Sequence, residues 1–301
     1  MGCLQFNLVQ LFNAMKPEQT RRQFIRTATV ATAAAAATTA KPSPLPAGQF
    51  TGKIKKAVKF AMVTEKLGVT VKFKLLQDLG FDGVEVYTRN KDEKSAYRKA
   101  VDATGFPVHG VVNSSDPDIV GAVEMASDLG GDAVLVLAKE DTKLSYAANF
   151  KTWQMLLRAA IPAAEKKRVK LLIENVRATF LKTAEGMARF IDSFETPWVG
   201  SYYDTGNTIT WTDQNAEHWA SVLGSRIGKI DVKDRGHKEF GDAKTARPGA
   251  IGTDGGEVHW VNVRKELAKI GFTGWATAEV KGGDRKRLAG IATWMDGVLR
   301  L

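Results

Sequence analysis

Three acidic residues stand where strand-like segments of the sequence end. Glu174 follows the segment VKLLI, Asp204 follows WVGSYY, and Glu279 lies near the end of WATAEV. Each segment has the apolar, β-branched or aromatic composition of a buried strand. Parallel strands that close into a barrel carry their chemistry at their carboxyl ends, so we predict that the three carboxylates form one site. For Asp204 alone, the alternative is an Asx-turn in which the side chain caps its own loop.

Carboxylates gathered at one point can serve two kinds of chemistry. They transfer protons as general acids and bases, and their oxygen atoms bind hard divalent ions. Without a cation they would repel one another, and some would take up protons at neutral pH. The sequence therefore predicts a metal-assisted proton-transfer site. The alternative is a set of carboxylates that lysines neutralise at the barrel rim.

The segments that must position these residues repeat along the chain. From residue 57 onward, a short strand-like segment is followed by a helical one eight times. The predicted strands are 57–63, 83–87, 107–113, 133–138, 169–175, 198–204, 227–233 and 275–280. Such alternation implies parallel strands with right-handed crossovers and predicts an α/β fold, a closed (β/α)8 TIM barrel. The alternative is an open doubly wound sheet, but no Gly-x-Gly-x-x-Gly pattern follows the first strand.

Two predicted connections, 204–215 and 234–256, are longer than the barrel requires, and long loops at the active face usually cover a site. Of the 301 residues, 44% are apolar, which is ample for a core. The net charge of +10 is scattered among acidic residues, and aromatic residues do not interleave with the basic clusters. This distribution predicts a solvated basic surface and argues against nucleic acid as a partner.

The N-terminal region resembles a bacterial twin-arginine export signal. Arg21 and Arg22 precede a weakly apolar, alanine-rich run over residues 28–40. This run is too short and too mildly apolar to hold a membrane anchor. The sequence therefore predicts a signal peptide over 1–40 and a periplasmic or secreted protein, with no membrane as a partner after export.

The rest of the N-terminal region divides into two further predictions. Met15 is an alternative start, so that residues 1–14 would not be translated. Residues 41–56, with three prolines, are predicted as a linker to a catalytic barrel over 57–301. The only cysteine, Cys3, would leave with the signal, which excludes a thiol nucleophile and a zinc–thiolate site from the mature protein.

Six motifs occur in a fixed order between residues 57 and 300. They are Phe81-Asp82-Gly83-Val84-Glu85, Ile173-Glu174-Asn175, Tyr203-Asp204-Thr205-Gly206-Asn207, Val232-Lys233-Asp234-Arg235, residues 252–260, and Gly271-Phe272-Thr273-Gly274-Trp275. Together they resemble the sugar phosphate isomerase/epimerase family, which has the xylose isomerase-like barrel. The resemblance implies a metal-dependent isomerase or epimerase. Its substrate would be a keto sugar or a sugar-derived acid, and protons would be transferred through an enediolate.

The resemblance also implies a set of metal ligands. In that family a Glu, an Asp, a His and a second Glu from four late strands hold a divalent ion at the barrel mouth. Glu174, Asp204 and Glu279 match three of these positions, and Asp231 stands where the histidine usually is. His237 on the following loop is the alternative ligand. Carboxylate oxygens favour Mg²⁺ or Mn²⁺, with Ca²⁺, Co²⁺ and Zn²⁺ as alternatives.

We expect Glu174 and Glu279 to act as acid and base in the reaction. The residues expected to contact substrate are Glu85, His109, Asn175, Asn207, Lys233 and Arg235. Two of them have structural alternatives. Glu85 can be a buried carboxylate paired with a basic residue, and His109 can be a histidine satisfied within the core.

Functions from different classes remain open at this point. A lyase or hydratase of oxidised glycosides would use the same metal chemistry, and an exported enzyme would meet such glycosides more often than sugar phosphates. A catalytically silent sugar-binding barrel is the third hypothesis, because the usual histidine is absent. A nuclease with this barrel would need many histidines, and the chain has four. The expected partner is a small carbohydrate, and the oligomeric state is open, with a homodimer as one possibility.

Overall fold

Eight parallel strands close into a barrel surrounded by helices. The computed structural model describes residues 48–236, 241–242 and 256–301. The strands are β1 (Ile54–Lys59), β2 (Gly83–Tyr87), β3 (Val108–Ser114), β4 (Ala133–Val136), β5 (Lys170–Glu174), β6 (Val199–Asp204), β7 (Ile227–Val232) and β8 (Gly274–Ala278). Each strand pairs with its sequence neighbours, and β8 closes the barrel on β1. The predicted (β/α)8 TIM barrel is confirmed.

Apart from α6, the helices follow the strands in the order that the periodicity predicts. They are α1 (Val69–Asp78), α2 (Lys94–Thr104), α3 (Ile119–Leu129), α4 (Tyr146–Lys167), α5 (Ala184–Asp192), α6 (Thr205–Trp211), α7 (Ala216–Leu223), α8 (Trp260–Lys269) and α9 (Arg285–Leu299). Within the described residues, none of them has the length and apolar character needed to cross a membrane. The predicted export signal over 1–40 lies outside the described residues.

The first strand differs from its prediction. β1 begins at Ile54 and ends at Lys59, and Phe60–Met62 form a 3-10 turn, whereas the predicted strand is 57–63. The turn is as apolar as the strand, so composition does not mark where the strand ends. The folded body also begins inside the predicted linker, because Phe50 is only 2% exposed and its backbone N–H donates to the Arg300 carbonyl.

The predicted loop over 204–215 contains a helix, α6. Asp204 caps this helix, since its Oδ1 accepts the backbone N–H of Asn207 at 2.8 Å. Threonine, glycine and asparagine have weak helix propensity, so the sequence pattern does not indicate the helix. The cap and the burial of its first turn stabilise it instead. In the predicted loop over 234–256, Asp234–Arg235 pair with Gly241–Asp242.

Apolar side chains fill the layer between the strands and the helices. Val58, Val84 and Ile230 alternate along their strands with residues that face the barrel interior, and all three are fully buried in this layer. Trp260 of α8 packs edge-to-face on Trp294 of α9 within the same layer. The outer layer therefore provides most of the apolar burial and leaves the interior positions for other uses.

The barrel interior has two halves of different chemistry. The apolar half consists of interior side chains from β3 to β6, namely Val112, Ala133, Leu135, Leu172 and Tyr202. The charged half consists of interior side chains from β1, β2 and β7, namely Lys59, Glu85, Lys229 and Asp231, and all four are buried. Gly110 leaves room for two of these charges, because a Cβ there would lie 3.1 Å from Lys229 Nζ and 3.3 Å from Glu85 Oε1.

Candidate functional site

Four carboxylates converge at the carboxyl ends of four neighbouring strands. Glu174 ends β5, Asp204 ends β6, Asp231 lies near the end of β7, and Glu279 directly follows β8. One oxygen atom of each lies within 4.8 Å of the others. Three of the residues are buried, while the side chain of Glu279 is 30% exposed. We call these four residues the carboxylate cluster. It contains all four of the metal ligands first proposed from the sequence.

Two lysines lie against the carboxylate cluster. Lys59, at the end of β1, places its Nζ 2.9 Å from Asp231 Oδ2 and 2.6 Å from Glu279 Oε1. Lys233, just after β7, places its Nζ 3.0 Å from Asp204 Oδ2 and 2.8 Å from Glu279 Oε2. Glu279 is thus held by a lysine at each of its oxygens. The structure agrees in part with the alternative of carboxylates neutralised by lysines.

The side-chain amides of Asn175 and Asn207 hold parts of the carboxylate cluster in position. Asn175 and the backbone of Asp204 exchange two hydrogen bonds of 2.8 Å, which tie the ends of β5 and β6 together. Asn207 donates from Nδ2 to Glu174 Oε1 at 3.1 Å and accepts from Lys233 Nζ at 3.2 Å. These residues, predicted to contact substrate, hold the ligands and the lysine in place.

Burial and charge separate the pKa values of the carboxylate cluster. Burial raises the pKa of Glu174 to about 8, and Glu279 adds to the rise. Burial likewise raises the pKa of Asp204 to about 7, although Lys233 opposes it. Burial would also raise the pKa of Glu279, but Lys59 and Lys233 outweigh it and hold this pKa below its usual range. One glutamate of the predicted acid–base pair thus favours the protonated form and the other the ionised form.

The residues of the carboxylate cluster fit a divalent ion. Four negative and two positive charges leave two negative charges uncompensated when all groups are ionised. Asp231 Oδ1 is buried and has no hydrogen-bond partner among the described residues, so it is available as a ligand atom. An all-oxygen donor set is typical of sites for hard ions. The alternative ligand His237 lies outside the described residues.

Glu85 and His109 lie deeper in the barrel than the carboxylate cluster. Glu85 is fully buried; burial raises its pKa, and the charges of Lys59 and Lys229 oppose that rise. His109 Nδ1 lies 2.9 Å from Lys229 Nζ, and its Nε2 lies 3.1 Å from the Thr277 hydroxyl. With both ring nitrogens bonded inside the barrel, His109 has the contacts of the satisfied core histidine rather than those of a substrate ligand.

Arg235, also expected to contact substrate, supports the loops around the site. Its guanidinium donates to the Ile209 carbonyl of α6 at 2.6 Å and lies 3.4 Å from Glu257. The neighbouring Asp234 accepts the backbone N–H groups of Glu257 and Val258 and the indole N–H of Trp260. The Lys-Asp-Arg motif thus anchors α6 and the start of α8 beside the barrel mouth.

The sequence prediction missed two buried lysines, Lys59 and Lys229. Both occur inside segments predicted as strands, and a lysine within a strand is a signal because an unpaired lysine is rarely buried. The sequence alone does not indicate which acidic residues pair with these lysines. The partners of Lys59, for example, come from β7 and from the residue after β8. Only closure of the barrel brings them together.

Comparison with known proteins agrees with this architecture. Residues 73–298 match the profile of a family described as the xylose isomerase-like TIM barrel. The chain belongs to this family. No curated protein is similar enough in sequence to count as a match.

Solved structures of similar fold include several sugar epimerases. The apo crystal structure of the 3-keto-D-glucoside 4-epimerase YcjR from E. coli is 16% identical, with a TM-score of 0.63, and covers 80% of this chain and 100% of its own. A D-allulose 3-epimerase from Methylomonas sp. in complex with D-allulose is 15% identical, with a TM-score of 0.64, over 81% of this chain and 96% of its own. The IOLI protein with a bound zinc atom is 15% identical, with a TM-score of 0.65, over 81% of this chain and 98% of its own. At these identities the likeness shows the fold alone.

Proposed function

We propose that this protein is a metal-dependent isomerase or epimerase that acts on a keto sugar or a sugar-derived acid by proton transfer. The observation that carries the proposal is the carboxylate cluster, in which oxygens of Glu174, Asp204, Asp231 and Glu279 lie within 4.8 Å of one another. The sugar epimerases among the similar structures support the same class of reaction. The substrate would be a small carbohydrate.

The four residues of the carboxylate cluster would hold the ion. Their oxygens favour Mg²⁺ or Mn²⁺, while the zinc atom in one similar structure keeps softer ions among the alternatives. When bound, a divalent ion polarises a carbonyl oxygen and stabilises negative charge that develops on it. Lys59 and Lys233 would keep Glu279 ionised and oriented, because each binds one of its oxygens.

The two glutamates would divide the proton transfer between them. Glu279, whose pKa is lowered, would take the proton from the carbon beside the carbonyl. Glu174 would return a proton, to the opposite face of the same carbon in an epimerase or to the former carbonyl carbon in an isomerase. Asn207 would orient Glu174 through its 3.1 Å hydrogen bond. Both glutamates belong to the carboxylate cluster, so each would lie close enough to a bound carbonyl compound to exchange a proton with it.

A lyase or hydratase that acts on oxidised glycosides is the second candidate. One similar structure is an epimerase of a 3-keto-D-glucoside, a substrate from which the same proton removal can lead to elimination. Proton abstraction beside the ketone is common to both reactions, and only the fate of the resulting carbanion differs. A catalytically silent sugar-binding barrel would need no proton transfer at all.

Solvent deuterium exchange tests the proposal. Wild-type protein loaded with Mn²⁺ should exchange the α-proton of a 3-keto glucoside or of a ketose, as followed by proton NMR. Glu174→Gln and Glu279→Gln should each slow the exchange by a factor of about 10²–10⁴. The exposed Glu185→Gln, on α5, is the matched control and should leave the rate unchanged. NMR of the products separates an epimer from an eliminated glycoside.

Exchange at the wild-type rate in both active-site Gln variants would refute the acid–base assignment. Binding of sugar by the metal-loaded wild type without any exchange would favour the silent barrel instead. Melting temperatures close to that of the wild type would show that the Gln variants remain folded, because Gln has nearly the same size as the glutamate it replaces.

We also propose that the protein acts outside the cytoplasm. The support is the twin-arginine pattern at Arg21 and Arg22 and the alanine-rich run that follows it. Replacing both arginines with lysine should retain the protein in the cytoplasm, as measured by cell fractionation. Normal secretion of that variant would contradict the proposal.

A further inference from the structure

We propose that a cavity beside the carboxylate cluster binds an anionic group, a carboxylate or a phosphate, carried by the carbohydrate substrate. This inference rests on the proposed function, because it concerns the sugar that the cluster would hold. The cavity has a volume of about 310 Å³ and opens between the loop after β5 and helix α6. Its walls include Asn175, Arg177, Lys182, Asn207, Trp211 and Trp219.

The cavity and the carboxylate cluster share a wall. The amide of Asn207 donates to Glu174 Oε1 on the cluster side and accepts the indole N–H of Trp211 at 3.2 Å on the cavity side. Asn175 lines the cavity and is bonded to the backbone of Asp204. The cavity and the cluster thus adjoin at Asn175 and Asn207, and a carbohydrate bound at the cluster would reach the cavity by extending past these two side chains.

Trp211 gives the cavity a platform for a sugar ring. It ends α6 and remains 39% exposed although it is a large aromatic side chain. Its hydrogen bond to Asn207 fixes the orientation of the ring. An amphipathic indole held in place in this way offers an apolar face to sugar C–H groups at little cost in side-chain entropy.

Arg177 supplies the positive charge. Its guanidinium lies 5.3 Å from the centroid of the Trp211 ring, on the loop after β5. The other basic side chain of the cavity, Lys182, is paired with Glu140 at 2.9 Å and donates to the Arg177 carbonyl at 3.2 Å. Among the described residues, no carboxylate lies within ion-pair distance of Arg177. A planar guanidinium that is free of carboxylates suits two-pronged binding of a carboxylate or phosphate.

The charge of the neighbouring site is compatible with an anionic substrate. With all groups ionised, the carboxylate cluster and its two lysines have a net charge of two negative units, which a divalent ion would cancel. An anion in the cavity would then meet the attraction of Arg177 without repulsion from the cluster. Selectivity for an anionic sugar over a neutral one follows from this arrangement.

Calorimetric titration of the Mn²⁺-loaded full chain tests the inference. The probes are methyl β-D-glucuronide, D-glucose 6-phosphate and neutral methyl β-D-glucoside. At least one anionic probe should bind about tenfold more tightly than the glucoside, as expected for a charge-assisted hydrogen bond. Comparison of the two anionic probes identifies carboxylate or phosphate as the group recognised. Arg177→Gln should reduce the affinity of that probe to the level of the glucoside.

Arg158→Gln is the matched control. Arg158 also lies over an aromatic ring, 5.7 Å from the centroid of Phe194, but Phe194 belongs to the segment before β6 at the opposite end of the barrel. This variant should leave all three affinities unchanged. The affinity for Mn²⁺ should be the same in both variants, because neither arginine contacts the carboxylate cluster.

Two results would overturn the inference. One is equal affinity of the wild type for the neutral and both anionic probes, including the absence of measurable binding. The other is the same loss of affinity in Arg177→Gln and Arg158→Gln. Failure of the proposed function would be seen in other measurements. The wild type would then fail to bind Mn²⁺ or to exchange the substrate proton, and this result does not depend on the relative affinities of the three probes.

Discussion

The two halves of the barrel interior are stabilised in opposite ways. In the apolar half, Leu135 and Leu172 are buried among other apolar side chains, and their burial itself is favourable. In the charged half, Lys59 and Asp231 are as deeply buried, and their burial is costly unless each charge has a partner. One half therefore supports the barrel, while the other depends on the barrel to hold charges that water would otherwise separate.

The carboxylate cluster lies where the two halves meet, since Glu174 and Asp204 end strands of the apolar half while Asp231 belongs to the charged half. Catalytic and metal-binding groups need perturbed pKa values, and these arise where charges are buried close together. Burying charges in this way destabilises the fold, and the outer apolar layer and the apolar half of the interior offset that loss. We therefore expect substitutions in the two halves to separate stability from metal binding.

Lys59→Met should have the largest effect, because it leaves the buried Asp231 without its lysine and Glu279 with one lysine instead of two. Loss of one member of a buried ion pair costs about 3–5 kcal/mol, so the metal-free protein should be destabilised by about that amount in urea unfolding. Mn²⁺ should restore much of the loss, since the ion replaces the missing positive charge.

Lys56→Met is the matched control for Lys59→Met. Lys56 is also a buried β1 lysine, but it pairs with Asp296 of α9 at 2.5 Å on the outside of the barrel. This variant should be destabilised without rescue by Mn²⁺. An equal response of the two variants to the ion would remove the distinction between the charged half and the rest of the molecule.

Leu172→Ala tests the apolar half. Truncation of a buried leucine costs about 2–5 kcal/mol through lost burial and the cavity that remains. The free energy of unfolding should fall by that amount, while the dissociation constant for Mn²⁺ stays within a factor of about two. A large loss of Mn²⁺ affinity in a variant that remains folded would show that the two halves are not independent.

Asn207→Ala tests how the carboxylate cluster is supported. Asn207 binds Glu174 and Lys233 but contributes none of the four clustered carboxylates. Loss of such a supporting group typically lowers metal affinity by about 10–100-fold, and calorimetry with Mn²⁺ should show a change in this range. Unchanged affinity would mean that the backbone alone positions Glu174.

The pH dependence of the metal-free protein should show the smallest effect. The pKa values of Glu174 and Asp204 are raised to about 8 and about 7, mainly by burial. A carboxyl group with a raised folded-state pKa stabilises the fold below its unfolded pKa of about 4, and this contribution is lost as pH rises through the folded value. The melting temperature should therefore fall between about pH 5 and pH 8.

Glu279 does not counteract this trend within that range. Its pKa is lowered, so its contribution is already present above the unfolded value and disappears only in stronger acid. Bound Mn²⁺ should abolish the fall, because the ion favours ionised ligands. A melting temperature of the metal-free protein that is independent of pH across the range would contradict the burial of these carboxyl groups.

The sequence predicted much of the fold, because its signals are local. Strand and helix periodicity identified all eight barrel strands, and Glu174, Asp204 and Glu279 could be placed at or near strand ends without coordinates, whereas Asp231 came from the family resemblance. Helix α6 escaped prediction, since its stability comes from the Asp204 cap and from packing rather than from propensity. Local patterns also failed at β1, where the apolar run continues past the end of the strand at Lys59.

The site was predicted less completely than the fold, because its charges pair across the barrel. The partners of Lys59 are 172 and 220 residues away in sequence, so no local sequence pattern indicates them. His109 was equally ambiguous, since its contacts with Lys229 and Thr277 depend on closure of the barrel. Residue type and strand-end position identify ligands, whereas counter-charges require the three-dimensional structure.

The stoichiometry of metal binding tests the central claim most directly. Wild-type protein freed of metal with a chelator should bind about one Mn²⁺ per chain in calorimetry, with release of protons that increases as the pH is lowered toward about 7. Glu174→Gln should weaken this binding strongly while leaving the barrel folded. Absence of Mn²⁺, Mg²⁺, Ca²⁺, Co²⁺ and Zn²⁺ binding by the folded wild type would show that the two lysines and protonation of carboxyl groups balance the carboxylate cluster, and would contradict the account.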